Sequence, residues 1–376
     1  MHIALDVRAW KWTGVGRYIR NVVRQYAVLP HGHTFTLLVP RGDEWPEGLR
    51  DIIQKHPDRF KAVEVEPSYY SWQEQLLYPF ELSRLDVDLF HFPHFNVPLA
   101  FNRPYVVTIH DTTRFVIPGQ RRQGLLNQIA YETVFRHAVA SAKHIISVSK
   151  HTAFELRNLP FAPSDIETTV IYEGVDDQFF VPPADLEVGK MRALLGTDSS
   201  YLLHVGVWMS HKNLERLLRA FKQVVEKRPD LKLVVTGKPV PMYSNLLKLI
   251  QELGVENSVV FPGFVPDDLL PALYSQAEML VFPSLYEGFG LPAIEAAAVG
   301  TPVVCSNVTS LPEIMNDGAF YVNPEDVDDI ARGIERVLGD GDLRAQVISH
   351  ARQRVAEFRW DVCAKETLKL YKLVLT

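Results

Sequence analysis

The sequence predicts an α/β protein built from two doubly wound, Rossmann-like domains in series. Short apolar runs typical of strands alternate with helical stretches along the whole chain, and such alternation predicts parallel sheets with right-handed crossovers. The alternation pauses at a proline-containing acidic segment, residues 181–197, and then restarts. A length of 376 residues also exceeds what a single hydrophobic core usually organises.

The composition narrows the class of protein. Apolar residues make up 47% of the chain and charged residues 22%, as is typical of globular proteins. A net charge of −6 argues against nucleic acid as a partner. The two cysteines, Cys305 and Cys363, form no ligand-like pair, which argues against a disulfide framework or a zinc site. We find no signal-peptide pattern and no apolar run long enough to span a membrane, so we expect a cytoplasmic protein.

The first domain is predicted at residues 1–181. Its strands are expected at 3–7, 35–40, 60–65, 88–92, 105–110, 145–149 and 169–171. Helical spacing of apolar residues predicts helices at 17–26, at about 125–142 and from residue 150 onward.

The second domain is predicted at residues 182–360, with a last helix at about 361–376 that packs back on the first domain. Its strands are expected at 201–205, 231–236, 258–261, 277–283, 303–305 and 319–321. Its helices are expected at 213–227, 243–253, 267–276, 293–299, 327–338 and 343–358.

Residues 284–302 carry the strongest local signal for chemistry. They follow an apolar strand and contain a loop with Gly288 and Gly290, and a helix with Pro292 in its first turn comes next. The start of a helix offers unpaired N–H groups and a partial positive charge, which favour an anion such as a phosphate. Glu287 and Glu295 lie on either side of this anion site in the sequence.

Two other patterns point to ligands less strongly. Gly14 and Gly16 suggest a dinucleotide fingerprint, but six residues separate them from the first strand and Ile19 stands where a third glycine is needed. Asp86 and Asp88 match a D-x-D metal pattern, but they begin a strand, so we interpret them as an ordinary acidic turn. Neither a nicotinamide cofactor nor a metal site is therefore predicted.

The motifs together resemble those of a known family. Glu287 and Glu295, inside Ser-Leu-Tyr-Glu-Gly-Phe-Gly-Leu-Pro-Ala-Ile-Glu, resemble the E-x7-E motif of the retaining family-4 glycosyltransferases of the GT-B fold. The similarity extends over nearly the whole chain, through segments 14–18, 107–111, 146–149, 173–176, 204–206, 212–213, 312–313 and 358–360. In that family the C-terminal domain holds a nucleotide sugar, the N-terminal domain holds the acceptor, and the reaction takes place between them without a bound metal or other cofactor.

The resemblance assigns roles residue by residue. It implies catalytic roles for Glu287, His110 and Lys212, where Glu287 lies near the transferred sugar and Lys212 neutralises the donor diphosphate. It implies that Glu295 accepts hydrogen bonds from the donor ribose. The other expected donor-binding residues are Gly14, Gly16, Gly206, His211, Gly237, Lys238, Phe264, Val265, Gly288, Phe289, Gly290 and Leu291. The expected acceptor-binding residues are His94, Asn96 and Trp72.

Several of these residues also have plain structural explanations. Glu295 could have no role beyond complementing the dipole of a buried helix. Lys212 could lie at a solvated helix start, and Gly16 could serve a helix-initiating turn. His110 could be a satisfied core histidine, and the aromatic residues of the N-terminal loops could simply pack. The family arginine expected soon after Gly206 is replaced by Val207, which puts one cationic contact in doubt and makes His211 a substitute.

The sequence therefore predicts a retaining hexosyltransferase that moves a mannose- or glucose-type sugar from a UDP- or GDP-sugar to a saccharide or a lipid-linked saccharide. Attachment to the inner face of the membrane is left open. Two alternatives also stay open: a nucleotide-sugar-binding protein without transfer activity, and another GT-B reaction such as that of an epimerase or a phosphorylase.

Overall fold

The computed structural model describes residues 1–42, 45–66, 68–117, 125–163, 166–237 and 244–375. The chain divides into two compact units. The N-terminal unit comprises Met1–Arg114, Arg121–Gly174 and Arg359–Thr376, and the C-terminal unit comprises Phe115–Gln120 and Val175–Phe358. The division thus falls at Gly174, a few residues before the predicted boundary at residue 181.

The N-terminal unit is built on a parallel sheet of seven strands in the order β3-β2-β1-β4-β5-β6-β7. The strands are β1 His2–Asp6, β2 Thr34–Pro40, β3 Phe60–Val65, β4 Leu89–Phe92, β5 Tyr105–Ile109, β6 His144–Ser147 and β7 Thr168–Val170. Strands β4, β5 and β6 are buried along their whole length, as expected for strands covered on both faces. The strand order reverses between β1 and β4, and the carboxyl end of such a switch point is where open α/β sheets bind ligands.

The helices of this unit are α1 Gly14–Val28, α2 Glu47–Lys55, α3 Trp72–Leu76, α4 Tyr78–Ser83, α5 Thr113–Val116, α6 Leu125–Ser141, α7 Lys150–Asn158 and α16 Trp360–Leu375. The last helix, α16, packs against α1, where the Tyr371 and Tyr26 hydroxyls are 3.0 Å apart. A Cβ atom on Gly174 would lie 2.3 Å from the Trp360 nitrogen, so the start of α16 needs a glycine at that position. The end of the chain thereby completes the core of the unit in which the chain begins.

The C-terminal unit contains a second parallel sheet, of six strands in the order β10-β9-β8-β11-β12-β13. The strands are β8 Tyr201–His204, β9 Lys232–Thr236, β10 Val259–Gly263, β11 Met279–Phe282, β12 Val303–Ser306 and β13 Phe320–Val322. Its helices are α8 Asp185–Leu195, α9 Leu214–Lys227, α10 Ser244–Leu253, α11 Leu270–Ser275, α12 Leu291–Val299, α13 Leu311–Met315, α14 Val327–Gly339 and α15 Gly341–Val355. Here the order reverses between β8 and β11, which puts the switch point at the loops that follow these two strands.

Both predicted sheets are confirmed, and the differences concern short helices. Helix α9 shows why the long elements were predictable, because its apolar residues recur at helical spacing and are buried: Leu214, Leu217, Leu218, Phe221, Val224 and Val225. Helices α2 to α5 and α13 were not predicted. Helix α8 occupies most of the segment 181–197, at which the predicted alternation pauses. Among the described residues, no helix combines the length and the apolar character needed to cross a membrane.

Candidate active site

The switch point of the C-terminal unit brings two loops together. The backbone nitrogen of Leu285, after β11, donates to the carbonyl oxygen of His211, after β8, at 2.7 Å. His211 lies in the 3-10 turn Ser210–Lys212. This hydrogen bond places the predicted donor residues His211 and Lys212 against the loop that carries Glu287, as expected for residues that share one site.

Lys212 and Glu287 form an ion pair in which the ammonium nitrogen is 2.7 Å from the carboxylate Oε1. Their side chains are only 14% and 10% exposed, so water screens the pair less than it would a surface pair. The Lys212 ammonium also lies 5.1 Å from the centroid of the Phe282 ring. The structure therefore brings together a cation for a leaving phosphate and a carboxylate for a developing positive charge.

The glycine loop between β11 and α12 is fixed by residues that follow β12. The Glu287 nitrogen donates to the Thr309 hydroxyl at 3.2 Å, and the Ser310 hydroxyl reaches the Glu287 carbonyl oxygen at 2.9 Å. Gly290 precedes α12 with a φ of 105°, and a Cβ atom there would lie 2.7 Å from Leu311. A glycine is therefore required at this position, where the loop of Gly288 and Phe289 leads into Leu291, the first residue of α12.

Glu295 is buried inside α12, and the Tyr274 hydroxyl donates to its Oε2 at 2.8 Å. The Tyr274 hydroxyl therefore fixes one oxygen of a carboxylate that lies in the second turn of α12. This arrangement suits the predicted ribose contact, and Tyr274 enters the site as a residue that the sequence did not indicate.

The glycines after β8 and β9 lie against each other. A Cβ atom on Gly237, whose φ is 99°, would lie 2.0 Å from the carbonyl oxygen of Gly206, so no other residue fits. After β10, Phe264 is exposed and Val265 is buried. The predicted donor residue Lys238 lies outside the described residues.

His204 is a buried residue of this region that we did not predict as functional. Its Nδ1 lies 3.0 Å from the carbonyl oxygen of Val281, whereas its Nε2 has no hydrogen-bond partner among the described residues. A Cβ atom on Gly206 would be 3.9 Å from this Nε2 and 3.5 Å from the Lys212 side chain. Burial lowers the pKa of His204 to about 4, so the ring is neutral. The available signal was a polar residue at the end of an apolar strand, the same signal that pointed to His110.

In the N-terminal unit, His110 follows β5 and is held at both ring nitrogens. Its Nδ1 lies 2.9 Å from Oε1 of the buried Glu173, and its Nε2 lies 3.0 Å from the carbonyl oxygen of Pro93. The Tyr18 ring meets it edge-on, with centroids 5.1 Å apart. His110 is therefore a tightly positioned residue, and Glu173 is the neighbour that orients it.

Gly14 and Gly16 differ in their surroundings. A Cβ atom on Gly16, in α1, would lie 2.7 Å from the carbonyl oxygens of Ala9 and Trp10, which gives this glycine a packing reason. Gly14 has nothing within 4 Å of a Cβ position, and it is exposed. Only Gly14 therefore leaves open space for a ligand.

The predicted acceptor residues His94 and Asn96 lie in one neighbourhood, and within the described part of the chain Trp72 makes no ring contact with them. Asn96 donates through Nδ2 to Glu74 at 3.0 Å, and the His94 ring is edge-on to that of Trp12, with centroids 5.5 Å apart. Trp72 begins α3 with 69% of its surface exposed. Among the described residues, no group of three or more His, Cys, Asp and Glu side chains is arranged to hold a metal ion.

Comparisons with known proteins identify the family of the chain. The family model described as Glycosyltransferase Family 4 matches residues 12–179, and the model described as Glycosyl transferases group 1 matches residues 190–354. The chain is 30% identical to O-antigen chain mannosyltransferase B of Escherichia coli, over 96% of each protein. The chain therefore belongs to the family-4 glycosyltransferases.

Solved structures show the same architecture. Sucrose-phosphate synthase from Thermosynechococcus elongatus superposes with a TM-score of 0.78 at 22% identity, over 100% of this chain and 99% of that one. Anabaena HepE in complex with UDP-glucose superposes with a TM-score of 0.75 at 20% identity, over 99% of each chain. The predicted GT-B fold is thereby confirmed.

Proposed function

We propose that this chain is a retaining hexosyltransferase that moves a mannose- or glucose-type sugar from a UDP- or GDP-sugar to a saccharide or lipid-linked saccharide. The observation that carries the proposal is the Lys212–Glu287 ion pair beside the start of α12. A diphosphate leaving group needs fixed positive charge, and here an ammonium and a helix N-terminus supply it. The name of the Escherichia coli relative favours a mannosyl donor, whereas the HepE structure contains UDP-glucose.

The proposed step needs neither a metal nor a covalent intermediate. The bond between C1 of the sugar and the diphosphate oxygen breaks, and the acceptor oxygen bonds to C1 from the same face. The proton of the acceptor hydroxyl passes to the departing phosphate oxygen, so atoms and charge balance. Lys212 stabilises the diphosphate as its charge grows, and Glu287 stabilises the positive charge that develops on the sugar ring.

Donor consumption and product geometry test this proposal. The purified chain is incubated with GDP-mannose, UDP-glucose or UDP-galactose and a panel of glycosides, in the presence of EDTA. We expect one donor to be consumed, with the anomeric configuration of the donor kept in the product by NMR. An inverted product, or transfer that stops in EDTA and returns with a divalent metal, would contradict the mechanism.

A binding protein without transfer activity is a second candidate, since Val207 stands where the family has an arginine. Such a protein would bind a nucleoside diphosphate in calorimetry and consume no donor with any acceptor. The variant Val207→Arg restores that cation. If it transfers sugar where the wild type does not, the missing arginine explains the lack of activity.

We further propose that the chain works at the cytoplasmic face of a membrane that carries its acceptor. Trp72, Leu76 and Phe80 are exposed and follow one another at four-residue steps through α3 and α4, the spacing of one helix face. A Trp-Leu-Phe face suits the interfacial region of a bilayer. Co-sedimentation with phospholipid vesicles tests this, and equal sedimentation of the wild type and Phe80→Asp would contradict it.

A further inference from the structure

A buried charge network lies beneath the loop that precedes α3 in the N-terminal unit. The Arg8 guanidinium Nη2 lies 2.7 Å from Asp6 and 2.9 Å from Glu74, and all three side chains are buried. The guanidinium also packs on the rings of Tyr69, at 4.2 Å, and Tyr78, at 4.0 Å. Two carboxylates and one guanidinium are costly to bury, but their satisfied hydrogen bonds fix local geometry strongly.

This network holds Tyr70 in an unusual conformation. The Tyr70 backbone nitrogen donates to Glu74 Oε2 at 2.8 Å, and its φ is 62°. A left-handed backbone is unfavourable for a bulky residue, because its Cβ atom crowds the following carbonyl oxygen. Nevertheless the Tyr70 side chain is 60% exposed, so burial of the ring does not offset that strain. Strain that a rigid neighbourhood maintains is typical of functional sites.

The exposed ring belongs to an aromatic surface with polar groups at its base. The rings of Tyr70 and Trp12 lie within 3° of parallel, with centroids 6.4 Å apart. The His94 ring meets Tyr70 edge-on, with centroids 6.1 Å apart. His94 Nδ1 and Asn96 Oδ1 are buried and have no hydrogen-bond partner among the described residues. Asn96 is oriented unambiguously, because its Nδ2 donates to a carboxylate, so its Oδ1 can only accept a hydrogen bond.

We propose that Trp12, Tyr70, His94 and Asn96 form a saccharide subsite, which rests on the proposed function and names the acceptor element that the N-terminal unit recognises. A pyranose ring presents an apolar C–H face, which fits an exposed aromatic ring, and peripheral hydroxyls, which can donate or accept hydrogen bonds. A purely apolar ligand such as a lipid chain would offer no hydrogen bond to either polar side chain. The Asp6–Arg8–Glu74 network positions the subsite without touching the sugar.

Sugar binding without any donor tests the subsite. The probes are methyl α-mannopyranoside and methyl α-glucopyranoside, added to the full-length chain and followed by saturation-transfer NMR. We expect at least one probe to bind the wild type and Tyr70→Phe, and to bind Tyr70→Gly about tenfold more weakly. Phe154→Ala is the matched control, because Phe154 is an aromatic residue of the same unit with a similar exposure of 64%, and it should keep the wild-type affinity.

Thermal stability separates a binding role from a structural one. Glycine relieves the left-handed strain at position 70, so Tyr70→Gly should melt no lower than the wild type while it loses sugar binding. A lower melting temperature with unchanged sugar affinity would overturn the proposal. Absence of binding of both probes to the wild type would overturn it as well.

The subsite and the proposed function fail in distinguishable ways. Tyr70-dependent sugar binding without consumption of any donor would support the subsite and contradict transfer. Donor consumption with the same acceptor KM in Tyr70→Gly and the wild type would support transfer and contradict the subsite.

Discussion

The Lys212 ammonium and the Glu287 carboxylate, 75 positions apart in the sequence, meet at 2.7 Å in a partly buried pair. Each group neutralises the charge of the other. A bound diphosphate would pair with the Lys212 ammonium and leave the Glu287 carboxylate available to the sugar. Binding of the donor would thereby change the charge next to the reacting sugar.

Removal of the Lys212 side chain should therefore break this ion pair and slow the reaction. We expect Lys212→Ala to lower kcat/KM for the donor by about 10²–10³-fold, the typical loss of one preorganised electrostatic contact. Steady-state kinetics measure this. Lys222→Ala removes an exposed lysine from an i,i+4 pair on α9 and should keep the wild-type rate. A loss of less than about threefold in Lys212→Ala would remove Lys212 from the mechanism.

Glu295 should recognise the donor ribose. In Glu295→Gln, we expect the Kd for the nucleoside diphosphate to rise by about 10–100-fold, because hydrogen bonds to a charged acceptor contribute about 1.5–3 kcal/mol. Calorimetry with the ribo- and 2′-deoxy forms makes the test specific, since only the wild type should distinguish them strongly. Tyr274→Phe, which loses the 2.8 Å bond to Glu295, should show a smaller effect. Equal discrimination by the wild type and Glu295→Gln would contradict the ribose assignment.

Glu173 should orient His110. Glu173→Ala removes the partner of Nδ1, so we expect the ring to lose its fixed orientation and kcat to fall by about tenfold or more. The His110 ring resonances in NMR should shift in the same variant. The matched control is Glu167→Ala, which breaks another His–Glu contact of this unit, with His144 at 3.2 Å. If both variants lower kcat alike, the effect is general and the positioning role is wrong.

The stability of the folded chain should depend on pH through His204. Burial lowers the pKa of its imidazole to about 4 in the folded chain, against about 6.5 when unfolded. Between these values the unfolded state binds the proton and the folded state does not, so stability is lost as pH falls from about 6.5 to 4. The full effect would be about 3 kcal/mol. Urea unfolding across this range should show a flatter pH dependence in His204→Phe than in the wild type, and parallel curves would contradict the assignment.

The sequence was sufficient for the fold because the large elements carry their own signals. Buried strands such as β5 are continuous apolar runs, and α9 repeats its apolar residues at helical spacing. The short helices α2 to α5 span only four to nine residues, too few to repeat a helical period several times. Glu74 illustrates the difficulty, because its charged side chain is buried through contacts with Arg8, Tyr70 and Asn96 that no local pattern reveals.

The candidate site was predictable where chemistry follows a motif and obscure where it depends on tertiary neighbours. Glu287, Glu295 and Lys212 stand in motifs, and their roles remain predictions that the variants above test. Tyr274 lies outside the matching segments, and Glu173 and His204 lie in such segments but had no role assigned, because the importance of all three comes from a partner elsewhere in the fold. Gly16 shows the opposite case. The sequence indicated a glycine that allows close approach of a ligand, but the nearby carbonyl oxygens of Ala9 and Trp10 also require a glycine for packing.

The return of α16 to the N-terminal unit has a consequence for biosynthesis. The Tyr371 hydroxyl reaches Tyr26 at 3.0 Å and His91 Nδ1 at 2.5 Å, so a helix that is synthesised after the C-terminal unit supplies core contacts to the N-terminal unit. The C-terminal unit, apart from a short segment, is one continuous stretch, Val175–Phe358, and can fold before α16 is synthesised. The N-terminal unit needs α16 to complete its core. A chain truncated before Trp360 should therefore stay bound to chaperones for longer, because its C-terminal unit can fold whereas its N-terminal unit cannot complete its core.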